Sequence, residues 1–136
     1  MTYSETKFRK YLKKVFIEKN TYIKKLPDKK QTGLSMSAGL PDYIVISKGK
    51  TLWFEVKQVK RETSVYTFNL QEISHSQYIE FNKMHNVGAK IYIAIYLNKE
   101  LFVVPYDKIA FAKFVAGEKS IHKKILEKWR IQWNQP

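Results

Sequence analysis

The stretch Gly39-Leu40-Pro41-Asp42-Tyr43-Ile44-Val45-Ile46, followed after Lys48-Gly49-Lys50 by Leu52-Trp53-Phe54-Glu55-Val56-Lys57, decides how the rest of the chain is read. Its apolar runs and glycine turn predict a hairpin of two strands, over about 42–47 and 51–58. Asp42, Glu55 and Lys57 interrupt the apolar pattern. A carboxylate inside a buried strand costs several kcal/mol of desolvation unless a cation or hydrogen bonds offset it. Two acids and a lysine converging on one hairpin therefore predict a bound metal.

Around the hairpin, helical spacing of Phe8, Tyr11, Leu12, Val15 and Phe16 predicts a first helix from about Ser4, its N-cap, to Lys19. A lysine-rich segment, Tyr22 to Lys30, is broken at Pro27, and Gln31 to Ala38 reads as a short strand. Lys60 to Thr67 reads as a loop, and Phe68-Asn69-Leu70 leads into a second helix that starts at Ser74 or Ser76 and stops at Gly88. Lys90 to Leu97 is a nearly continuous apolar strand of the kind buried on both faces, and Leu101 to Val104 pairs back on it. Asp107 is placed as the cap of a short helix to Phe114, and a basic helix after Gly117 is expected to end near Trp133. This order predicts one α/β domain over residues 1–136, with a central mixed β-sheet flanked by helices.

Composition narrows the function. The 136 residues carry 25 Lys and Arg against 12 Asp and Glu, a net charge of +13 that calls for a polyanionic partner, nucleic acid above all. Lys13, Lys14, Lys24, Lys25, Lys29 and Lys30 cluster before the hairpin and are read as phosphate contacts, with Ser35 and Ser37 near the site. No cysteine is present, which excludes disulfides and thiolate zinc sites, and the three histidines have no ligand spacing. No apolar run is long enough to span a bilayer, and the N-terminus lacks a signal-peptide core; a cytoplasmic location is expected.

The hairpin's donor set suits phosphodiester hydrolysis. Asp42 and Glu55 offer hard oxygen ligands for Mg²⁺, and the Val56 carbonyl, pointing sideways from the strand, is a further ligand. Lys57, two residues after Glu55 on the same strand, shares its face, beside the attacking water or the scissile phosphate.

Pro41-Asp42 with Glu55-Val56-Lys57 resembles the motif of the PD-(D/E)XK nucleases. Phe68-Asn-Leu-Gln-Glu-Ile-Ser-His-Ser-Gln77 is similar to the segment that follows the lysine in RecU-type Holliday junction resolvases, and the likeness continues through Gly88 to Ile95 and Leu101 to Pro105. The resemblance implies a restriction-endonuclease-like core and a homodimer that makes paired symmetric nicks in a four-way junction, using Mg²⁺ with Mn²⁺ as substitute. It makes Asp42, Glu55, Lys57 and Gln77 catalytic, and Glu5 resembles an acid used in or near the metal shell. The chain departs from that family before Asp42, where a longer basic stalk is usual and only Tyr22 to Leu40 is available. Hjc-type resolvases and VRR-NUC nucleases share the Gly-Leu-Pro-Asp form. A nuclease of flaps, single strands or duplex ends, one directed at RNA, and a non-catalytic DNA-binding module therefore stay open.

Overall fold

The computed structural model describes residues 3–16, 20–27, 39–59 and 66–132. Helix α1 (Tyr3–Val15) is followed by strand β1 (Thr21–Lys25), then β2 (Tyr43–Ser47) and β3 (Lys50–Gln58). A short strand β4 (Thr67–Asn69) leads through one 3₁₀ turn into α2 (His75–Asn86), β5 (Lys90–Leu97) and β6 (Glu100–Pro105). Helix α3 (Tyr106–Ala110) runs on as a π-helical turn, and β7 (Ser120–His122) precedes α4 (Lys123–Leu126).

The main sheet has the order β1-β2-β3-β5-β6, with β3 and β5 parallel and every other pair antiparallel. A parallel pair needs a crossover, and α2 supplies it. The alternation of β3 then sorts its side chains. Phe54 packs toward α1 with Phe8, Leu12, Tyr43, Val45 and Ala94. Trp53 faces the opposite layer, where Phe81 of α2 meets Ile91, Ile93 and Ile95. Phe54 is the hub of the α1 layer, its ring 5.3 Å from Phe8 and 5.4 Å from Tyr92 between centroids.

Four expectations are corrected. The lysine-rich segment contains an edge strand: Thr21 to Lys25 pairs with β2 from Thr21↔Ser47 to Lys25↔Tyr43. Its lysines conceal a Thr-Tyr-Ile β-former core, and an edge position accommodates such charges. Helix α1 begins at Tyr3, so Ser4 lies within it, and it ends at Val15, which is exposed. Asp107 is not a cap but stands in the first turn of α3, whose N-cap Pro105 has no side-chain bond. The expected C-terminal helix is instead a strand, one α-turn and one 3₁₀ turn, because β7 pairs with β4 and buries Ile121. The expected strand over 31–38, residues 17–19 and Trp133 lie outside the described residues.

Among the described residues, no helix is long and apolar enough to cross a membrane. Truncating Phe54 to Ala should destabilise the protein by about 3–5 kcal/mol, the usual range for deleting a buried ring. Denaturant unfolding reads this directly, and a loss below about 1 kcal/mol would contradict the packing described.

Candidate active site

The hairpin register fixes the site. Tyr43 stands opposite Phe54, so one further step places Asp42 opposite Glu55 at the end of the pair. Asp42 is tied on both sides. Its carbonyl accepts from the Leu26 amide at 2.7 Å, and its Oδ2 accepts from the Val56 amide at 3.0 Å. In a strand the N–H and C=O of one residue leave on the same side. The Val56 carbonyl therefore faces the open end of the hairpin beside Asp42.

Glu55 is the one buried charged residue among the described residues, 3% exposed. Its Oε2 accepts from Gln77 Nε2 at 2.9 Å and lies 3.2 Å from Lys57 Nζ. The Gln77 Oε1 in turn accepts from Lys57 Nζ at 3.0 Å. The three side chains close a ring from two elements: Glu55 and Lys57 project from β3 at the spacing of two, and Gln77 reaches over from α2.

Gln77 is held by the start of its own helix. Ser74 caps α2 and its Oγ accepts from the Gln77 amide, while Gln77 Oε1 accepts from the Ser74 amide at 3.0 Å. This capping box orients the Gln77 side chain, with its carbonyl toward Lys57 and its amide toward Glu55. The Ser-x-x-Gln pattern was available in the sequence, although Ser74 was read only as a helix start.

Gly39 sets how closely the Pro41-Asp42 turn can approach α2. Its φ is +85°, and a Cβ there would lie 3.0 Å from the Ser76 carbonyl oxygen and 3.1 Å from Glu80 Cβ. Only glycine meets both demands without strain.

Burial dominates the electrostatics. Desolvation, with the Asp42 charge adding to it, pushes the Glu55 carboxyl up to about 7 against the opposing pull of Lys57 and Gln77. Asp42 is also raised, chiefly by burial, against the Val56 amide bond and the charges of Lys57 and Lys25. Glu55 Oε1 is buried with no hydrogen-bond partner among the described residues. An orphaned carboxylate oxygen beside a second acid, with a carbonyl facing the same opening, is a donor set that fits a hard divalent cation. Among the described residues no three His, Cys, Asp or Glu side chains form a ligand cluster.

Asp42, Glu55, Lys57 and Gln77 are thus brought together. Glu5 is adjacent but engaged elsewhere, with Oε2 accepting from Lys25 Nζ at 3.1 Å and from the Tyr43 hydroxyl at 3.4 Å. Lys13 and Lys14 are exposed on the last turn of α1, where Lys14 Nζ donates to the Gln132 carbonyl at 2.9 Å. Lys24 is exposed on β1, whereas Lys25 is half-buried in its pair with Glu5. Lys29, Lys30, Ser35 and Ser37 lie outside the described residues. Gly39 and Tyr43 entered the sequence analysis only as part of the hairpin stretch, and no role was expected of Arg9, whose Nε donates to the Tyr43 hydroxyl at 3.2 Å.

The family model for Recombination protein U, RecU, matches residues 2–135, nearly the whole chain. The chain belongs to the RecU family. A similar solved structure is that of Hjc, a Holliday junction resolvase from the archaeal hyperthermophile Archaeoglobus fulgidus. It matches with a TM-score of 0.53 and 17% identity, over 88% of this chain and 87% of that one. At that identity the likeness establishes the fold, which is restriction-endonuclease-like as expected. No curated protein sequence matches the chain. For this RecU-family chain, the mixed sheet flanked by helices is the fold class expected from the sequence.

Two predictions follow from the site's packing and charge. Replacing Gly39 by Ala should destabilise the fold by about 1–3 kcal/mol through the strained φ and the contact with α2; unchanged unfolding would contradict that close approach. Glu55 is protonated in both folded and unfolded states below its ordinary value of 4.5, and its burial penalty grows until the folded group ionises near 7. Metal-free protein should therefore lose stability between those pH values relative to Glu55→Gln and show no further relative change above them. Parallel stability curves for the two proteins would refute this.

Proposed function

We propose that residues 1–136 form one nuclease domain, a Mg²⁺-dependent endonuclease that resolves four-way DNA junctions by paired symmetric nicks. The observation that carries the reading is the orphaned Glu55 Oε1 beside Asp42, in a ring completed by Lys57 and Gln77. Membership of the RecU family and a fold like that of the Hjc resolvase support the substrate class.

Asp42, Glu55 and the Val56 carbonyl would hold the cation, with Glu5 near enough to bias Asp42 electrostatically. A bound divalent cation supplies charge neutralisation at the phosphate and a more acidic water. The chain's own groups do the rest. Lys57 keeps an ammonium at the mouth of the site, where it stabilises charge on the scissile phosphate or orients the attacking water. Gln77 accepts from that ammonium and donates to the Glu55 carboxylate, so the Lys57–Glu55 ion pair is held in one orientation. The network's rigidity, from β3 and the α2 cap, keeps these groups in place before substrate arrives.

A four-way junction needs two symmetric cuts and each chain carries one site, so the working unit is a homodimer. Branched DNA is bound mainly through its backbone and shape, so affinity falls steeply with salt.

The test is cleavage of a four-way junction, a flap and a plain duplex, with and without Mg²⁺, Mn²⁺ being tried as a substitute. Paired nicking of the junction is expected, abolished by Asp42→Asn. Gln77→Ala should reduce the rate at least tenfold, a loss of about 1.4 kcal/mol in the barrier, while leaving junction affinity intact. Cleavage of flaps with the junction untouched would change the substrate assigned. Tight binding without metal-dependent cleavage of any substrate would reduce the protein to a binding module.

A further inference from the structure

Beside the site, on the α1 face of the sheet, α1 and β1 enclose an open groove of about 280 Å³ lined by Arg9, Leu12, Lys13, Ile23, Lys25 and Tyr43. Glu5, Arg9 and Lys13 recur every four residues, so they form one stripe along α1, about 6 Å apart by the helix rise. At the site end of that stripe Glu5 meets Lys25; farther along, Lys13 and Ile23 share the groove wall.

The groove's three cations are in different states. Lys25 is occupied by Glu5. Arg9 is fixed through Nε, which donates to the Tyr43 hydroxyl, and its guanidinium lies 5.9 Å from the centre of that ring. That leaves both terminal nitrogens of Arg9 without a hydrogen-bond partner among the described residues. Lys13 is exposed and likewise has no hydrogen-bond or ion-pair partner among them. A guanidinium anchored by Nε presents its remaining donors in a fixed fork, the geometry that suits a phosphate's two oxygens.

The anchor is also coupled to the chemistry. Tyr43, which holds Arg9, is the residue next to Asp42 and is buried at 1% exposure in the α1 layer. The Arg9 anchor therefore lies one residue from the carboxylate that faces Glu55. The two groups sit on opposite faces of one strand end, so a backbone that passes over the end of β2 can meet both.

From this placement we infer that Arg9 and Lys13 form a phosphate-binding groove that takes a DNA backbone phosphate outside the cleaved bond and sets the path of the strand past Asp42. This rests on the nuclease reading above for its substrate. Arg9 is a positioning residue in it, since it lies on the face of the sheet away from Glu55 and Lys57.

The experiment measures affinity of the full-length Asp42→Asn protein for a four-way junction and for a duplex by fluorescence anisotropy, across about 50 to 200 mM salt. Adding Arg9→Ala or Lys13→Ala should weaken binding about tenfold for Arg9 and less for Lys13, equally on both DNAs, and reduce the salt slope by about one each. Arg9→Lys keeps the charge but not the fork, and should recover the slope with only part of the affinity. Lys90→Ala, at the opposite end of the sheet by register with Leu52, should change neither. In proteins otherwise native, Arg9→Ala should raise KM for cleavage with a smaller effect on kcat. Circular dichroism melts exclude unfolding as the cause.

Unchanged affinity and slope in both Arg9→Ala and Lys13→Ala would overturn the groove. So would a loss no larger than that of Lys90→Ala. Because the binding assay needs no cleavage, a protein that cuts no DNA yet shows the expected slopes would defeat the nuclease reading and leave the groove standing.

Discussion

Burying Glu55 is the constraint on which the other parts depend. A carboxylate at 3% exposure inside a five-stranded sheet is held there against its solvation. Lys57 and Gln77 satisfy one of its oxygens, and the other has no partner among the described residues. The arrangement is more costly than an apolar residue would be, and Asp42 opposite makes it costlier by adding a like charge. A fold does not place two acids in this way for its own stability. A hard cation is the chemistry that the vacant oxygen, the neighbouring acid and the carbonyl of Val56 would fit in common.

Holding that expensive group still falls to elements far apart in sequence. The parallel pairing of β3 with β5 covers one edge of the strand and leaves its C-terminal end at the rim of the sheet. The antiparallel pairing with β2 brings Asp42 to the same rim. Helix α2 is required as the crossover between β3 and β5, and its N-terminus is therefore delivered to that rim as well. The capping box then serves two ends at once: the side chain that satisfies the first turn of α2 is the one that bridges Glu55 and Lys57. Topology, capping and chemistry here use the same atoms.

The extent to which this was legible in the sequence follows from how local each signal is. The hairpin was readable because its apolar runs, glycine turn and interrupting charges all lie within Gly39 to Lys57. The β5 strand announced itself by composition, and Ser74 with Gly88 marked both ends of α2. The edge strand β1 was not readable, since four of the five residues from Thr21 to Lys25 are lysine or exposed and, among the described residues, its organising partner is β2, some twenty residues away. Neither was β7, a three-residue strand that exists because Phe68 and Ile121 face each other across a pairing remote in sequence. The geometry of Gln77 came from resemblance, but its orientation depends on the Ser74 cap, which is local and could have been derived. Tyr43 was hidden for the opposite reason: it reads as a core aromatic, and it is one, with its hydroxyl alone engaged by Arg9 and Glu5.

The two edges of the sheet are finished in opposite ways, and the difference bears on where DNA can lie. Beyond β6, the chain returns to bridge Phe102 to Arg130, and the Ile131 amide donates to the Leu101 carbonyl at 2.9 Å. Glu100 fastens this return through Lys123 at 2.6 Å and Arg130 at 2.9 Å. That edge is covered and its charges are mutually paired. At β1, among the described residues, no strand pairs with the outer side, and Lys24 is exposed there. Lysine on an edge strand ordinarily serves to prevent edge-to-edge association. Here the strand ends at Lys25, opposite Tyr43 and so one register position from Asp42, where its charge is paired with Glu5. A net charge of +13 spread evenly would attract nucleic acid without directing it. Lys123 and Arg130 are paired at the covered edge, whereas Lys13, Lys24 and Arg9 stand near the open edge at β1, the edge that Asp42 adjoins through Lys25 and Tyr43.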